Sequence, residues 1–449
     1  MAHQPQPPPM IADNRLAAAM RATARDIFLA ALSDASIQKA FPQHVDCNRN
    51  ILRIYDDLYD LSTYTRVFVV SIGKAAHAMA EALASQVGGG LVGIVVGTSD
   101  PPSQVPGFRY YRGGHPLPNA ESLRAGETIL RALNAHTSRS LVIYMISGGG
   151  SAAVEKPITD DITLQDLVAT YGELVHSGAP IAEINAIRKH LSAVKGGRMA
   201  RAAHPAQQVS ILVSDVPENA LDSLASGPTM PDTSTVEDCY AIAQQHALLK
   251  KFPKSVRELF EQRALEETPK PDDLTFQRSR WWPVLSNATA QKAAVAQAAT
   301  RGFAVEVDNS CDDWDYARAA DHLLGRLREL RRGVSRACLI SGGEVTVKVA
   351  GKSGIGGRNQ QFALYCATQI EGENIAVLSA GTDGIDGNSP AAGAVADGTT
   401  VQRARATGVD VRKALADFDA YRVFENLEDA IVTGPTGNNI RDLRILLAY

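Results

Sequence analysis

From residue 66 onward, short and almost unbroken apolar runs rich in β-branched residues alternate with stretches of helical periodicity, and this alternation leaves few folds open. Expected strands at 67–72, 91–96, 141–146 and 209–213 are separated by expected helices at 75–85 and 120–135, the order that builds a parallel sheet. Runs that are apolar at nearly every position, rather than at every second one, predict strands covered on both faces, hence a doubly wound α/β sheet. Lys, Glu, Pro and Asp dominate residues 250–283, which read as a linker or peripheral excursion. The rhythm then resumes with a strand at 283–286, a helix at 288–300, a strand at 303–307 and a helix at 315–332. A chain of 449 residues exceeds what one core of about 250 to 300 residues fills. The expected division is a disordered tail (1–14), a larger amino-terminal domain (15–280) and a smaller α/β domain (281–449) whose last residues pack back toward the junction.

Several function classes fall away on composition. A net charge of −4 gives no electrostatic reason to bind nucleic acid or an acidic membrane. No apolar run approaches the roughly 20 residues of a membrane span. The five cysteines (Cys47, Cys239, Cys311, Cys338, Cys366) show no C-x-x-C pair and no zinc-ligand spacing. The first residues, rich in Pro and Gln, lack the charged start and apolar run of a signal peptide. A cytoplasmic protein is expected, and a homodimer is admitted.

Three strands run straight into small-residue turns: 141–146 into Ser147-Gly148-Gly149-Gly150-Ser151, 337–340 into Ser341-Gly-Gly-Glu344, and 375–378 into Ser379-Ala-Gly-Thr-Asp383. Beyond the carboxyl ends of α/β strands, such glycines let backbone N–H groups approach a phosphate or carboxylate. Standard nucleotide motifs fail, however. Neither Gly351-Lys352-Ser353 nor Gly73-Lys74 has the first glycine of a P-loop, and Gly354-Ile-Gly-Gly-Arg-Asn359 ends in Asn where a dinucleotide fingerprint needs Gly. No G-x-S-x-G elbow surrounds Ser147 or Ser151.

Individual residues carry the candidate chemistry. Lys74 follows a strand and opens a helix, where a cation opposes the helix dipole by about 0.3 to 1 kcal/mol, so a function is preferred to a solvated lysine. Arg358 ends a glycine-dense loop (351–357) after an expected strand at 344–349 and before an expected helix at 359–367; its planar fork suits a carboxylate or phosphoryl group. Asp383 and Asp386, with Asp215 at another strand end, are candidate magnesium contacts, against the plainer reading of Asx-turns. His115 is a candidate pocket residue, although Asn119 as a helix cap explains its neighbourhood. An expected helix at 181–194 puts Arg188, Lys189, His190 and Lys195 opposite an apolar stripe; such a face is usually solvated, and Arg188 and Lys195 are held only as supporting groups near an anion.

Taken together, Ser71-Ile-Gly-Lys-Ala-Ala76, Gly114-His-Pro-Leu-Pro-Asn119, Ser147-Gly-Gly-Gly-Ser151, Arg188-Lys-His-Leu-Ser192, Lys195-Gly-Gly-Arg198, Ala225-Ser-Gly-Pro-Thr229, Ser341-Gly-Gly-Glu344, Gly356-Gly-Arg-Asn-Gln360, Thr382-Asp-Gly-Ile-Asp-Gly387 and Thr433-Gly-Pro-Thr-Gly437 resemble the class II glycerate kinases with a MOFRL carboxy-terminal domain. The resemblance implies a Rossmann-like larger domain and phosphorylation of D-glycerate by ATP and Mg2+, usually to 2-phosphoglycerate, in an interdomain cleft. It implies that Lys74 and Arg358 act on the moving phosphoryl group, with Gly356, Gly357 and Asn359 binding phosphate or substrate and Glu344 in support. Some relatives are labelled hydroxypyruvate reductases, which the missing dinucleotide fingerprint disfavours. The same residues also admit a kinase of a related hydroxy acid and a non-catalytic protein that binds an organic acid or nucleotide. The chain departs from the family at Glu218-Asn-Ala220, where a glycine and two acids are usual, and at Gln361.

Overall fold

A computed structural model describes residues 14–101, 103–349, 351 and 354–449. These fall into two compact units, one of residues 37–285 and one joining the residues through Ser36 to 286–449. The expected tail lies outside the described residues except for Asn14, which opens a helix.

In the 37–285 unit a small antiparallel sheet of β1 (Val45–Asn48), β2 (Ile51–Ile54) and β3 (Asp57–Asp60) precedes the main sheet. The latter comprises β4 (Arg66–Ile72), β5 (Val92–Gly97), β6 (Phe108–Arg112), β7 (Ser140–Ser147), β8 (Gln207–Val213) and β9 (Ser279–Leu285). All neighbours are parallel and the spatial order is β6-β5-β4-β7-β8-β9. Counted from β4 this is 3-2-1-4-5-6, the Rossmann order, and the chain reverses direction across the sheet between β4 and β7. The expected two-sided burial holds: every residue of β7 is buried. On one face Phe68, Val70, Tyr144 and Ile146 pack with Ile129 and Leu133 of the helix Ala120–Leu133. The helix Ala76–Val87 contacts β4, β5 and β7.

The excursion at 250–283 is more ordered than its composition predicts. It forms the helix Lys254–Glu261 and ends in β9, and Phe252, Val256 and Phe260 join a helical core with Leu167, Ile187 and Ile242. The strand expected at 283–286 is thus the edge of the first sheet, not the start of the second domain. The helix expected over 181–194 stops at His190.

The other unit holds a mixed sheet of β10 (Ala304–Val307), β11 (Ala337–Gly342), β12 (Ile375–Gly381), β13 (Gly393–Asp397), β14 (Ala430–Ile431) and β15 (Asp442–Ala448), in the order β10-β11-β15-β12-β13-β14. The final strand is central and antiparallel to both neighbours, pairing Leu443 with Gly342 and Asp442 with Gly381. Its amino end therefore lies where β11 and β12 end. The helices Tyr316–Arg331 and Arg358–Gln369 supply Leu323, Leu327, Phe362 and Cys366 to one core, while the helix Asn14–Asp34 packs with Asn287–Thr300 and contacts β12, β13 and β15. The residues of that first helix were expected in the amino-terminal domain. Its buried stripe of Ala17, Met20, Ala24, Ile27, Phe28 and Ala31 has helical spacing, and a stripe alone does not say which sheet it covers. The expected strand at 344–349 is reduced to one bridge between Thr346 and Asp315. Among the described residues no helix is long and apolar enough to cross a membrane.

Candidate functional site

In the Rossmann unit the turns after β4 and β7 interlock at the point where the sheet order reverses. The Lys74 backbone N–H donates to the Gly148 carbonyl at 2.8 Å, and that of Ala75 donates to Ser147 Oγ at 3.0 Å. Ser147 Oγ in turn donates to the Ile72 carbonyl at 3.1 Å, so this serine staples two turns and is buried. Glycine is required here by crowding. A Cβ on Gly148 would collide with the Asp215 carboxylate, one on Gly149 (φ +79°) would press on His115 and the Lys74 stem, and one on Gly150 would meet Ala225. The structure thus gathers Lys74, His115, Gly148, Gly149 and Asp215 around one turn. Burial, and then the neighbouring Lys74 charge, hold the His115 imidazole below its ordinary pKa, so the ring stays neutral at neutral pH.

Ser151 pairs with a residue outside the expected site. Its hydroxyl lies 2.8 Å from Ser226 Oγ, and Ala225 and Ser226 both take left-handed backbone (φ +51° and +61°). Non-glycine residues held there cost of order 1 kcal/mol or more each and cluster at functional turns.

Arg188 and Lys195 are drawn inward instead. Lys195 is buried and ion-paired with buried Glu155, which also accepts from Tyr171 Oη at 2.6 Å and from Ser192. Arg188 stacks over the Tyr171 ring at 4.9 Å. Lys189 is buried too, between Asp222 (3.0 Å) and Asp232 (3.1 Å). The face expected to be solvated is an internal charge network, and its lysines meet carboxylates of the fold. One-dimensional spacing cannot reveal the second layer of helices that covers it.

In the other unit the helix Arg358–Gln369 begins beside the ends of β11 and β12. Asp386, buried, accepts the backbone N–H groups of Asn359 (3.1 Å) and Gln360 (2.9 Å) and the Asn359 amide (3.3 Å). It caps that helix, and burial, reinforced by Asp442, pushes its carboxyl up to about 6 against these hydrogen bonds. Asn359 also accepts from Ser379 Oγ at 2.6 Å, so its side chain ties the helix to β12. Gly357 is pressed against Asp386, leaving no room for a Cβ. Asp383, half-buried, accepts the Ile385 N–H at 3.2 Å, an Asx-turn.

Arg358 projects from this turn and is forked by Asp442: Nε donates to Oδ2 at 2.6 Å and Nη2 to Oδ1 at 3.0 Å. Glu344 reaches Nη2 at 2.9 Å. Burial works against the guanidinium charge, but Asp442 and then Glu344 more than offset it and hold the pKa above its ordinary value. Arg358, Asp383, Gly356 and Gly357 line a cavity of about 730 Å³ whose apolar wall includes Val345, Val349 and Phe418. That size is within the usual range for small-molecule sites. Asp442 was not anticipated; its signal in the sequence was a charge heading an apolar final strand.

Among the described residues no group of three His, Cys, Asp or Glu side chains could hold a metal ion. The three expected acids are split, Asp215 in one unit and Asp383 and Asp386 in the other.

Comparison with known proteins adds to this geometry. Residues 23–261 match the family described as a domain of unknown function, DUF4147, and residues 337–442 match the MOFRL family. A D-glycerate 2-kinase of Thermotoga maritima is 36% identical over 398 residues, covering 85% of this chain and 90% of that protein. A protein of Agrobacterium vitis that carries a hydroxypyruvate reductase name is also 36% identical, over 403 residues, covering 85% and 87%. The crystal structure of a glycerate kinase from Thermotoga maritima superposes with a TM-score of 0.84 at 31% identity, covering 96% of this chain and all of that one.

Proposed function

The chain belongs to the glycerate 2-kinase family that joins a DUF4147 domain to a MOFRL domain, and from that premise we propose that it phosphorylates D-glycerate with ATP to give 2-phosphoglycerate. The observation that carries the reading furthest is Lys74 lying against Gly149, at a glycine turn on the carboxyl edge of a Rossmann sheet where its order reverses. A cation in that position serves a ligand's negative charge better than it serves the helix it opens.

In phosphoryl transfer the protein mainly positions groups and neutralises charge. Lys74 would supply positive charge to a phosphate held at its glycine turn, and Arg358 would do so at its own. The turn Ser147–Ser151 would receive a carboxylate or phosphate, its backbone N–H groups unobstructed by Cβ atoms. Neutral His115, beside Lys74, can accept a hydrogen bond from an acceptor hydroxyl. Magnesium fits the donor set as an ion carried mostly by phosphate oxygens and water, since it favours one or two carboxylates plus substrate phosphates. Asp383 would contact it; Asp386 is engaged by the helix it caps. When bound, the ion shields the phosphate charge.

Purified protein should release ADP from Mg-ATP when D-glycerate is added. Lys74→Ala and Arg358→Ala should each lower kcat by about 100-fold or more while the far-UV spectrum stays near wild type. Lys74→Ala should also keep its melting temperature, whereas Arg358→Ala leaves buried Asp442 with Arg444, at 3.9 Å, as its one cation among the described residues and should melt earlier. Near-normal turnover in either would remove that residue from the mechanism. Hydroxypyruvate reduction is read from the same preparation by the loss of NADH absorbance.

A further inference from the structure

We propose that Asp442 is the positioning residue for Arg358: it fixes the plane of the guanidinium so that the remaining Nη1 amino group meets the phosphoryl group. The inference rests on the kinase reading above and names a residue which that reading does not require.

Asp442 opens the central strand of the mixed sheet, its backbone in register with Gly381 at the end of β12, while its neighbour Leu443 pairs with Gly342 at the end of β11. The Asn287 amide donates to the Asp442 carbonyl at 2.9 Å and to that of Ile440 at 2.8 Å. Beside it, fully buried Arg444 donates to the carbonyls of Gly342 (3.3 Å) and Gly343 (3.1 Å), fixing the turn that leads to Glu344.

The two sides of the pair differ in exposure. The Asp442 side chain is 1% exposed, whereas that of Arg358 is 37% exposed and lines the cavity. A buried carboxylate is a poor device for stability, because its desolvation offsets most of what an ion pair returns. It is a good device for orientation. Two parallel N–H···O bonds fix a guanidinium in direction as well as place, which a single contact does not. Asp442 takes the Nε and Nη2 edge, and Glu344, 34% exposed, reaches Nη2 from the outer side. An arginine meant only to stabilise the sheet has no reason to present the rest of its guanidinium to a cavity.

The test is steady-state kinetics of the full chain with Mg-ATP and D-glycerate. Asp442→Asn keeps the shape and one acceptor but loses the charged fork, and should lower kcat about 30-fold with KM for ATP changed less than about threefold. Placed on Arg358→Lys, which has no fork to orient, the same change should lower kcat by less than about twofold, because its effect passes through the arginine. If the two losses multiply, or if Asp442→Asn turns over within about threefold of wild type while Arg358→Ala is inactive, the positioning role is wrong and the kinase reading stands. If Arg358→Ala itself turns over normally, the arginine has no part in transfer and the positioning role falls while the kinase reading stands; absence of D-glycerate-dependent turnover in the wild-type protein overturns that reading. Should Asp442→Asn fail to fold, Asp442→Glu keeps the charge and displaces the guanidinium; a drop of about tenfold or more supports the role and wild-type turnover overturns it.

Discussion

At the scale of single residues, crowding and burial give the sharpest expectations. Gly73 sits at φ +108°, and a Cβ there would run into the Ser147 carbonyl, its hydroxyl and the Gly148 carbonyl. Gly73→Ala combines strain with a backbone clash, so it should destabilise the protein by about 2 kcal/mol or more and uncouple the turns that hold Lys74. Urea titration checks the first expectation and kcat the second; a variant as stable as wild type would show that the turns are not packed this way. His136 offers a test by pH. Neither ring nitrogen has a hydrogen-bond partner among the described residues, the ring leans on Phe68 at 5.2 Å, and burial, aided by Arg66, pushes its pKa down to about 4. The unfolded chain protonates the same group near pH 6.5. Folded protein therefore binds fewer protons between these values, so this histidine's contribution is whole above about pH 6.5 and drains away toward pH 4, a few kcal/mol at most. His136→Leu should lose less stability than wild type between pH 7 and 4.5 in denaturant titrations. Equal losses would mean that His136 does not titrate as described.

At the scale of elements, the first helix shows what a sequence conceals. No element was expected on these residues, and the buried face of the helix covers the sheet built from the other end of the chain. What specifies the partner is charge: Arg21 pairs with buried Asp397 and, at 3.1 Å, with Asp429. Arg21→Ala would leave buried Asp397 without its cation, while Asp429 keeps Arg403, and should cost about 3 kcal/mol. A loss under about 0.5 kcal/mol in urea titration would show that apolar contacts alone dock the helix. The strands β4, β5, β7 and β8 were legible because parallel strands buried on both faces are apolar throughout, a local signal. The charge network around Glu155 and the Asp442–Arg358 fork were not, because each joins residues dozens of positions apart. Lys74, the glycine turns and Arg358 stood out because special backbone demands leave marks in neighbouring residues. Asp442 stood at the head of an apolar run that reads as ordinary core.

At the scale of the whole molecule, the chain joins a Rossmann-ordered unit to one built on a mixed sheet, each with glycine turns at a carboxyl edge and each with one cation set on such a turn. A kinase of a small hydroxy acid needs no dinucleotide fingerprint, whereas hydride transfer from a nicotinamide would need one that no strand-to-helix turn of the sequence supplies. Phosphorus NMR of the protein with Mg-ATP and D-glycerate tests this claim most directly. ADP and a phosphomonoester at carbon 2 should form only when both substrates are present, at a rate that falls by about 100-fold in Lys74→Ala. NADH oxidation by hydroxypyruvate, with no D-glycerate-dependent ADP, would contradict the claim.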